Sequence, residues 1–174
     1  QRFSRPTSEL QTVLLEGIHA SAREVFEEGG VAELVIAKAI MLMRGVPAKN
    51  ARAHRGEWSK SAAGSFEVRG KTLGIVGYRH IGAQVGVLAE ALGMRVLFYD
   101  TSAKLALGNA TQVRGLKALL RSCDVVTAHV PGTLETIGMF GAEQLADMRE
   151  GALLINASRG TVVDINALVD ALRR

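Results

Sequence analysis

A chain of 174 residues that is 48% apolar and 22% charged is long enough for one good hydrophobic core, and its composition excludes wholesale disorder. The net charge of +4 admits an anionic partner, but the bases are scattered and aromatics are only 5% of residues, so the pattern argues against nucleic acid, whose partners cluster their charge on one face. A single cysteine, Cys123, excludes an intrachain disulfide and a metal-thiolate cluster.

No apolar run nears the ~20 residues of a membrane span, and the N-terminus lacks a basic-then-apolar leader pattern, so a cytoplasmic location without membrane partners is expected. Residues 1–11 are polar and unpatterned. Val13 to Leu15 reads as a short buried strand, and Ser21 to Glu28 as a helix with Ala22, Val25 and Phe26 inward. Gly29 and Gly30 are expected to end that helix, since glycine readily takes the left-handed cap. One strand and one helix have too little to pack against to form a domain. Val31 to Met43 is interrupted only by Glu33 and Lys38, which predicts a helix buried on nearly every side. Pro47 is expected to stop it. Ala48 to Ser65 then reads as a polar connection, with the only tryptophan, Trp58, as a packing anchor.

From Lys71 onward the pattern becomes regular. Strands are predicted at Thr72–Val76, Arg95–Tyr99, Asp124–Val130 and Ala152–Ala157. Helices are predicted between and after them at Ile81–Leu92, Val113–Arg121, Ala142–Met148 and Asp164–Arg173. Such alternation implies βαβ units: an α/β fold with a doubly wound, Rossmann-like parallel sheet.

The stretch from Leu73 to Gly82, LGIVGYRHIG, carries the clearest chemical signal. Strand, glycine turn, helix is the frame of a dinucleotide-binding loop, in which helix N–H groups meet a pyrophosphate. That loop should read G-x-G-x-x-G; Gly77 and Gly82 are in place, but Arg79 stands where the middle glycine belongs. Its side chain either intrudes on the ligand's space, with added strain if the backbone needs a positive φ, or swings out to contact a phosphate. Asp100 lies 23 residues after Gly77 at the end of the second strand. There a carboxylate can accept both ribose hydroxyls of an adenosine and repel a 2′-phosphate, which favours NAD over NADP. His129, Val130 and Pro131 close the third strand, where loops line a ligand crevice; the histidine is either a cofactor-lining or structural residue or a catalytic base. Arg159, beside Gly160 after the fourth strand, can clamp a carboxylate bidentately or serve as an ordinary surface arginine. His19, His54 and His80 lie on separate elements without metal-ligand spacing.

Together these residues resemble the D-isomer-specific 2-hydroxyacid dehydrogenases. The resemblance rests on VAELVIAKAIMLMRGVP, AHRGEWSKSAAGSFEVRGKTLGIVGY, GNATQV, DVVTAHVP and LLINASRGTVVDINAL, and covers residues 31–174 nearly without gaps. It implies NAD as cofactor and a small 2-hydroxy acid as substrate. Residues 1–30 would be a remnant of the substrate domain, 31–65 an interdomain helix and connection, and 66–174 a partial NAD-binding Rossmann domain. His80 and Ile81 would sit over the pyrophosphate, and Asp100 would hold the adenosine ribose. Ala157 and Ser158 would flank the nicotinamide. Arg159 would bind the substrate carboxylate and polarise the carbonyl that receives hydride. No metal is implied, and the region of residues 31–43 lies near the family's dimer contact, so a homo-oligomer is expected.

The departures are equally specific. Beside Arg79, most of the family's substrate domain is missing between Gly30 and Val31. The family's catalytic histidine and its partner glutamate lie beyond Arg159, whereas here no histidine follows His129 and no glutamate follows Glu150. The expectation is therefore an incomplete piece of such an enzyme, inactive alone; the alternative is a non-catalytic NAD-binding or oligomerisation module.

Overall fold

The structure is a computed structural model that describes residues 28–58 and 60–173. The strand expected at Val13–Leu15 and the helix expected ahead of Glu28 lie outside the described residues. The elements, in chain order, are α1 (Glu28–Met43), α2 (Val46–His54), β1 (Thr72–Val76), α3 (His80–Ala91), β2 (Arg95–Tyr99), β3 (Thr111–Gln112), α4 (Leu116–Ser122), β4 (Val125–Ala128), α5 (Ala142–Asp147), β5 (Leu153–Asn156) and α6 (Ile165–Leu172). A 3₁₀ turn at Gly160–Val162 precedes α6.

The five strands form one parallel sheet in the order β3-β2-β1-β4-β5. All five residues of β1 are buried, as a central strand covered on both faces requires. Side-chain alternation divides them between two cores. Leu73 and Ile75 pack with α1 and α3 through Val35, Ala39, Val85 and Ala89. Val76 packs on the other face with Leu119 and Leu120 of α4 and with Phe140 and Val162. Gly74 lies on that second face because no side chain fits: a Cβ there would come within 2.6 Å of both Cys123 Sγ and Leu119 Cδ2.

A charged clamp fixes the strands' starting edge. Asp124 accepts from the Thr72 amide at 2.8 Å and from Arg149 at 2.8 Å, while its own carbonyl accepts from the Leu153 amide at 3.0 Å. One residue thus ties together the beginnings of β1, β4 and β5. At the far end Asp164 caps α6, accepting from the amides of Asn166 and Ala167 at 2.9 and 3.1 Å.

Several sequence expectations are corrected. Gly29 and Gly30 do not end a helix; both lie in the first turn of α1. Burial of Ala32, Val35, Ile36, Ala39 and Met43 outweighs the helix cost of about 1 kcal/mol per glycine. That helix is buried along one stripe only, for Ile40, Met41 and Leu42 remain 36%, 42% and 42% exposed. Pro47 does not stop it either: Gly45 turns the chain at φ 64, and Pro47 occupies the first turn of α2, where proline's missing N–H costs nothing. The supposed polar connection therefore starts as a helix, invisible to periodicity because α2 buries no residue. Trp58 is 84% exposed and anchors no packing among the described residues. Strand β3 has only two residues, too few to show alternation. Among the described residues no helix is long and apolar enough to cross a membrane.

Candidate cofactor site

Strand order reverses direction at β1, where the chain winds first outward to β2 and β3 and then back to β4 and β5. The loops leaving β1 and β4 therefore diverge, and open α/β sheets bind ligands in the crevice this leaves at the strands' carboxyl ends. A cavity of about 390 Å³ lies there. Gly77 and Arg79 line it from the β1–α3 turn, Tyr99 to Ser102 and Lys104 from the exit of β2, and His129 to Pro131 from the exit of β4, with Thr133, Glu135, Thr136 and Met139 beyond.

The turn into α3 requires its glycines. Gly77 has φ 92, and a Cβ on it would come within 2.6 Å of the His129 carbonyl oxygen and 3.1 Å of Val130 Cγ1. At Gly82 a Cβ would run into the carbonyl oxygen of Gly77. The two glycines thus press the turn against the β4 exit and the first turn of the helix against the strand. Arg79 behaves differently. Its backbone is extended, φ −101 and ψ −156, so an L-residue fits and the strain expected for a positive φ does not arise. No side chain caps the first turn of α3, and no acidic residue lies in it. That helix end therefore offers N–H groups and a positive dipole to an anion.

Asp100 is tethered on both oxygens. Oδ2 accepts from the Tyr78 amide at 3.0 Å, and Oδ1 accepts from the Ser102 amide and hydroxyl at 3.1 and 3.2 Å. Lys104 stands 3.9 Å away. Burial pushes its carboxyl upward, but the amides of Ser102 and Tyr78 and the Lys104 ammonium outweigh this and hold it below its ordinary value of 3.8. The group is anionic at neutral pH and keeps lone pairs for further donors. Tyr78 itself stacks on Phe98, ring centroids 3.8 Å apart, which holds the amide donor in place.

His129 shares a 3.0 Å hydrogen bond between Nε2 and Thr127 Oγ1, and its Nδ1 is buried without a hydrogen-bond partner. Burial lowers its pKa from 6.5 to about 4, so the imidazole is neutral at pH 7. Next to it the Val130 amide donates to Ser158 Oγ at 2.9 Å, joining the exits of β4 and β5. Asn156 organises the second exit, accepting from the Ser158 amide at 3.0 Å and donating to the Arg159 carbonyl at 3.0 Å. The Arg159 stem lies over Gly132, where a Cβ would meet its Cγ at 2.8 Å; its head is exposed.

Of the residues expected to bind cofactor, Gly77, Asp100, His129, Val130 and Pro131 line the cavity, whereas His80, Ile81, Gly82, Ala157, Ser158 and Arg159 do not. Gly82 is buried beneath the turn, and Ile81 and Ala157 pack against the core on the α1–α3 face. The lining also contains Thr101, Ser102, Lys104, Thr133 and Thr136, which sequence reasoning missed. Polar turn residues just after a strand end were the available signal. Thr133 and Thr136 build such a turn, with the Thr136 hydroxyl donating to the Pro131 carbonyl at 2.6 Å. Cys123 is remote from this chemistry: burial, with Asp124 adding to it, pushes its thiol up to about 12. Among the described residues no cluster of His, Cys, Asp or Glu could hold a metal ion.

This arrangement is that of a dinucleotide-binding domain. Residues 36–174 match the family model described as "D-isomer specific 2-hydroxyacid dehydrogenase, NAD binding domain", and the chain belongs to that family. It is 63% identical over 142 residues to the D-3-phosphoglycerate dehydrogenase of Escherichia coli strain K12, covering 82% of this chain and 35% of that protein. With the D-3-phosphoglycerate dehydrogenase of Haemophilus influenzae it shares 58% over 143 residues, 82% of this chain and 35% of the relative. Among solved structures, the NAD complex of the D-isomer specific 2-hydroxyacid dehydrogenase of Lactobacillus delbrueckii ssp. bulgaricus superposes with a TM-score of 0.78 at 30% identity, over 85% of this chain and 45% of that one. The chain spans about a third of the length of the curated relatives it matches.

The His129 environment makes stability depend on pH. The unfolded chain takes up this proton near pH 6.5 and the folded protein only near 4. Between these values the unfolded state holds more protons, so stability falls as pH drops through the window, by at most about 3 kcal/mol. Asp100 adds a loss in the same direction, but only as pH falls below 3.8. Urea denaturation of the wild type and His129→Gln at pH 7.5 and 4.5 checks this, the expected outcome being a much smaller pH-dependent loss in the variant.

Proposed function

We propose that this chain is the cofactor-holding part of an NAD-dependent 2-hydroxyacid dehydrogenase whose complete form oxidises 3-phosphoglycerate to 3-phosphohydroxypyruvate, in serine biosynthesis. The observation that supports the reading most strongly is the cavity at the β1–β4 switch point, with Gly77 on one side and Asp100 on the other. The residues fit the cofactor: a side chain at Gly77 would collide with the β4 exit, α3 begins without a cap, and Asp100 is anionic and cavity-lining. High identity to D-3-phosphoglycerate dehydrogenases supports the substrate.

In this reading the first turn of α3, with His80 and Ile81, holds the pyrophosphate through its amides. Asp100 accepts the adenosine ribose hydroxyls and disfavours a 2′-phosphate. His129, Val130 and Pro131 wall the crevice, and Ala157 and Ser158 border its nicotinamide end. Bound NAD supplies the hydride acceptor. Arg159, its carbonyl pinned by Asn156 and its stem seated on Gly132, presents its guanidinium to the substrate carboxylate. Alcohol oxidation also needs a base for the hydroxyl proton, a contribution of ~10²–10⁴ in rate. His129 is unsuited to it, with a pKa of about 4 and Nε2 engaged by Thr127. No later histidine exists in the 174 residues, so these residues by themselves bind NAD without turning substrate over.

Calorimetric titration tests the reading. NAD binds the wild-type chain, Asp100→Ala weakens it about tenfold or more, and no NADH forms from 3-phosphoglycerate. Absence of NAD binding at millimolar cofactor removes the cofactor assignment, and rapid NADH formation removes the claim of inactivity.

The exposed apolar residues Ile40, Met41 and Leu42 near the end of α1, with Val46 at 40% exposure at the start of α2, favour an oligomerisation surface as well, since exposed apolar area is costly in water. Light scattering is expected to show self-association that Met41→Glu combined with Leu42→Glu abolishes; a monomeric wild type contradicts it.

A further inference from the structure

We infer that Arg79 is a phosphate-binding residue of the cofactor cavity, taking over through its guanidinium what a glycine at this position achieves by letting the backbone approach the ligand. The inference rests on the cofactor reading above and deepens it at one residue.

The backbone shows first that Arg79 is accommodated. At φ −101 and ψ −156 the residue sits in extended backbone open to any L-amino acid. With arginine at this position the N-terminus of α3 is regular: the Ala83 amide donates to the Arg79 carbonyl at 2.8 Å, the first bond of the helix.

The charges around the cavity point to what the side chain does. Four ionised groups line it: Arg79, Lys104, Asp100 and Glu135. Lys104 and Asp100 are 3.9 Å apart and offset each other. Glu135 is fully solvated, its carboxyl held low by a hydrogen bond to Thr133, and no ion pair joins it to Arg79. The Arg79 side chain is exposed and makes no hydrogen bond or ion pair among the described residues. An uncommitted guanidinium at the mouth of an uncapped helix end adds a full positive charge to the helix dipole there, so that N–H groups and cation can face the same anion. A glycine loop offers the amides alone.

The ligand chemistry is therefore a phosphate of an adenine nucleotide, either the 5′-diphosphate or a 2′-phosphate. A 2′-phosphate would approach Asp100 and lose by repulsion, so the diphosphate is the expected source. Arginine suits the task because its planar fork bonds two phosphate oxygens at once.

The test titrates the full chain, wild type and Arg79→Gln, with adenosine, ADP and 2′-AMP. ADP binding is expected to weaken about tenfold in the variant, with steeper salt dependence in the wild type and adenosine affinity changed less than about twofold. Because Arg79 is exposed, the variant keeps the wild-type thermal midpoint, and Arg79→Lys recovers part of the loss. A loss confined to 2′-AMP assigns the 2′-phosphate instead and retains the phosphate role. Unchanged or tighter ADP binding by Arg79→Gln overturns the inference and leaves the cofactor cavity standing. If the wild type binds none of the three, the cavity assignment falls with it.

Discussion

The contact on which the site depends is the one between Gly77 and the carbonyl of His129. Two parallel strands leave the sheet side by side and turn to opposite faces, and the separation of their exits decides whether a crevice with defined walls exists. With φ 92 and no side chain, Gly77 lets the β1 exit lie directly against the β4 exit. Gly82 then seats the first turn of α3 on the Gly77 carbonyl. Hydrogen bonds extend the sheet through both turns, from the Gly77 amide to Tyr99 at 2.9 Å and from the His129 amide to Val76 at 2.7 Å. Rigid strands on three sides therefore position the helix end, Asp100 and the Val130–Ser158 link with little conformational freedom left to lose on binding.

Burial sets the electrostatics of this frame in two opposite ways. His129 is driven neutral because its ring is enclosed away from water. Asp100 stays anionic despite burial because two backbone amides and a lysine meet it. The outcome is a cavity with a tethered anion at the β2 exit, a neutral histidine at the β4 exit, and an exposed arginine at the helix end. At the opposite edge of the sheet Asp124 and Arg149 tie the strand starts together, so the charge that holds the strands is kept away from the charges that line the cavity.

Much of this was legible in the sequence. The strands β1 and β2 are where their β-branched and aromatic runs predict, and the spacing from Gly77 to Asp100 picks out, without any structure, a carboxylate that lines the cavity. What escaped has physical causes. Helix α2 buries no residue, so it has no apolar periodicity to read; the helix-breaking roles given to Gly29, Gly30 and Pro47 were reversed by burial of one face of α1 and by proline's compatibility with a first turn. Lys104, Thr133 and Thr136 reach the cavity through turns held by hydrogen bonds that no sequence pattern shows: the Ser102 amide donates to Asp100, the Lys104 amide to the Gln112 side chain, and the Thr136 hydroxyl to the Pro131 carbonyl. Ile81 and Ala157 sit within the expected motifs, yet both face the core, because motif membership does not decide which way a side chain points.

The central claim is that an adenine dinucleotide occupies the crevice between the β1 and β4 exits. Mapping amide chemical-shift changes in the isotope-labelled chain during a titration with NAD tests it most directly. The account predicts saturable shifts at Gly77, Arg79, Asp100, Ser102 and Val130, with Asp124 and Arg149 at the far edge unmoved. Shifts centred instead on the exposed segment Ile40 to Leu42 of α1, or none at millimolar NAD, would contradict it.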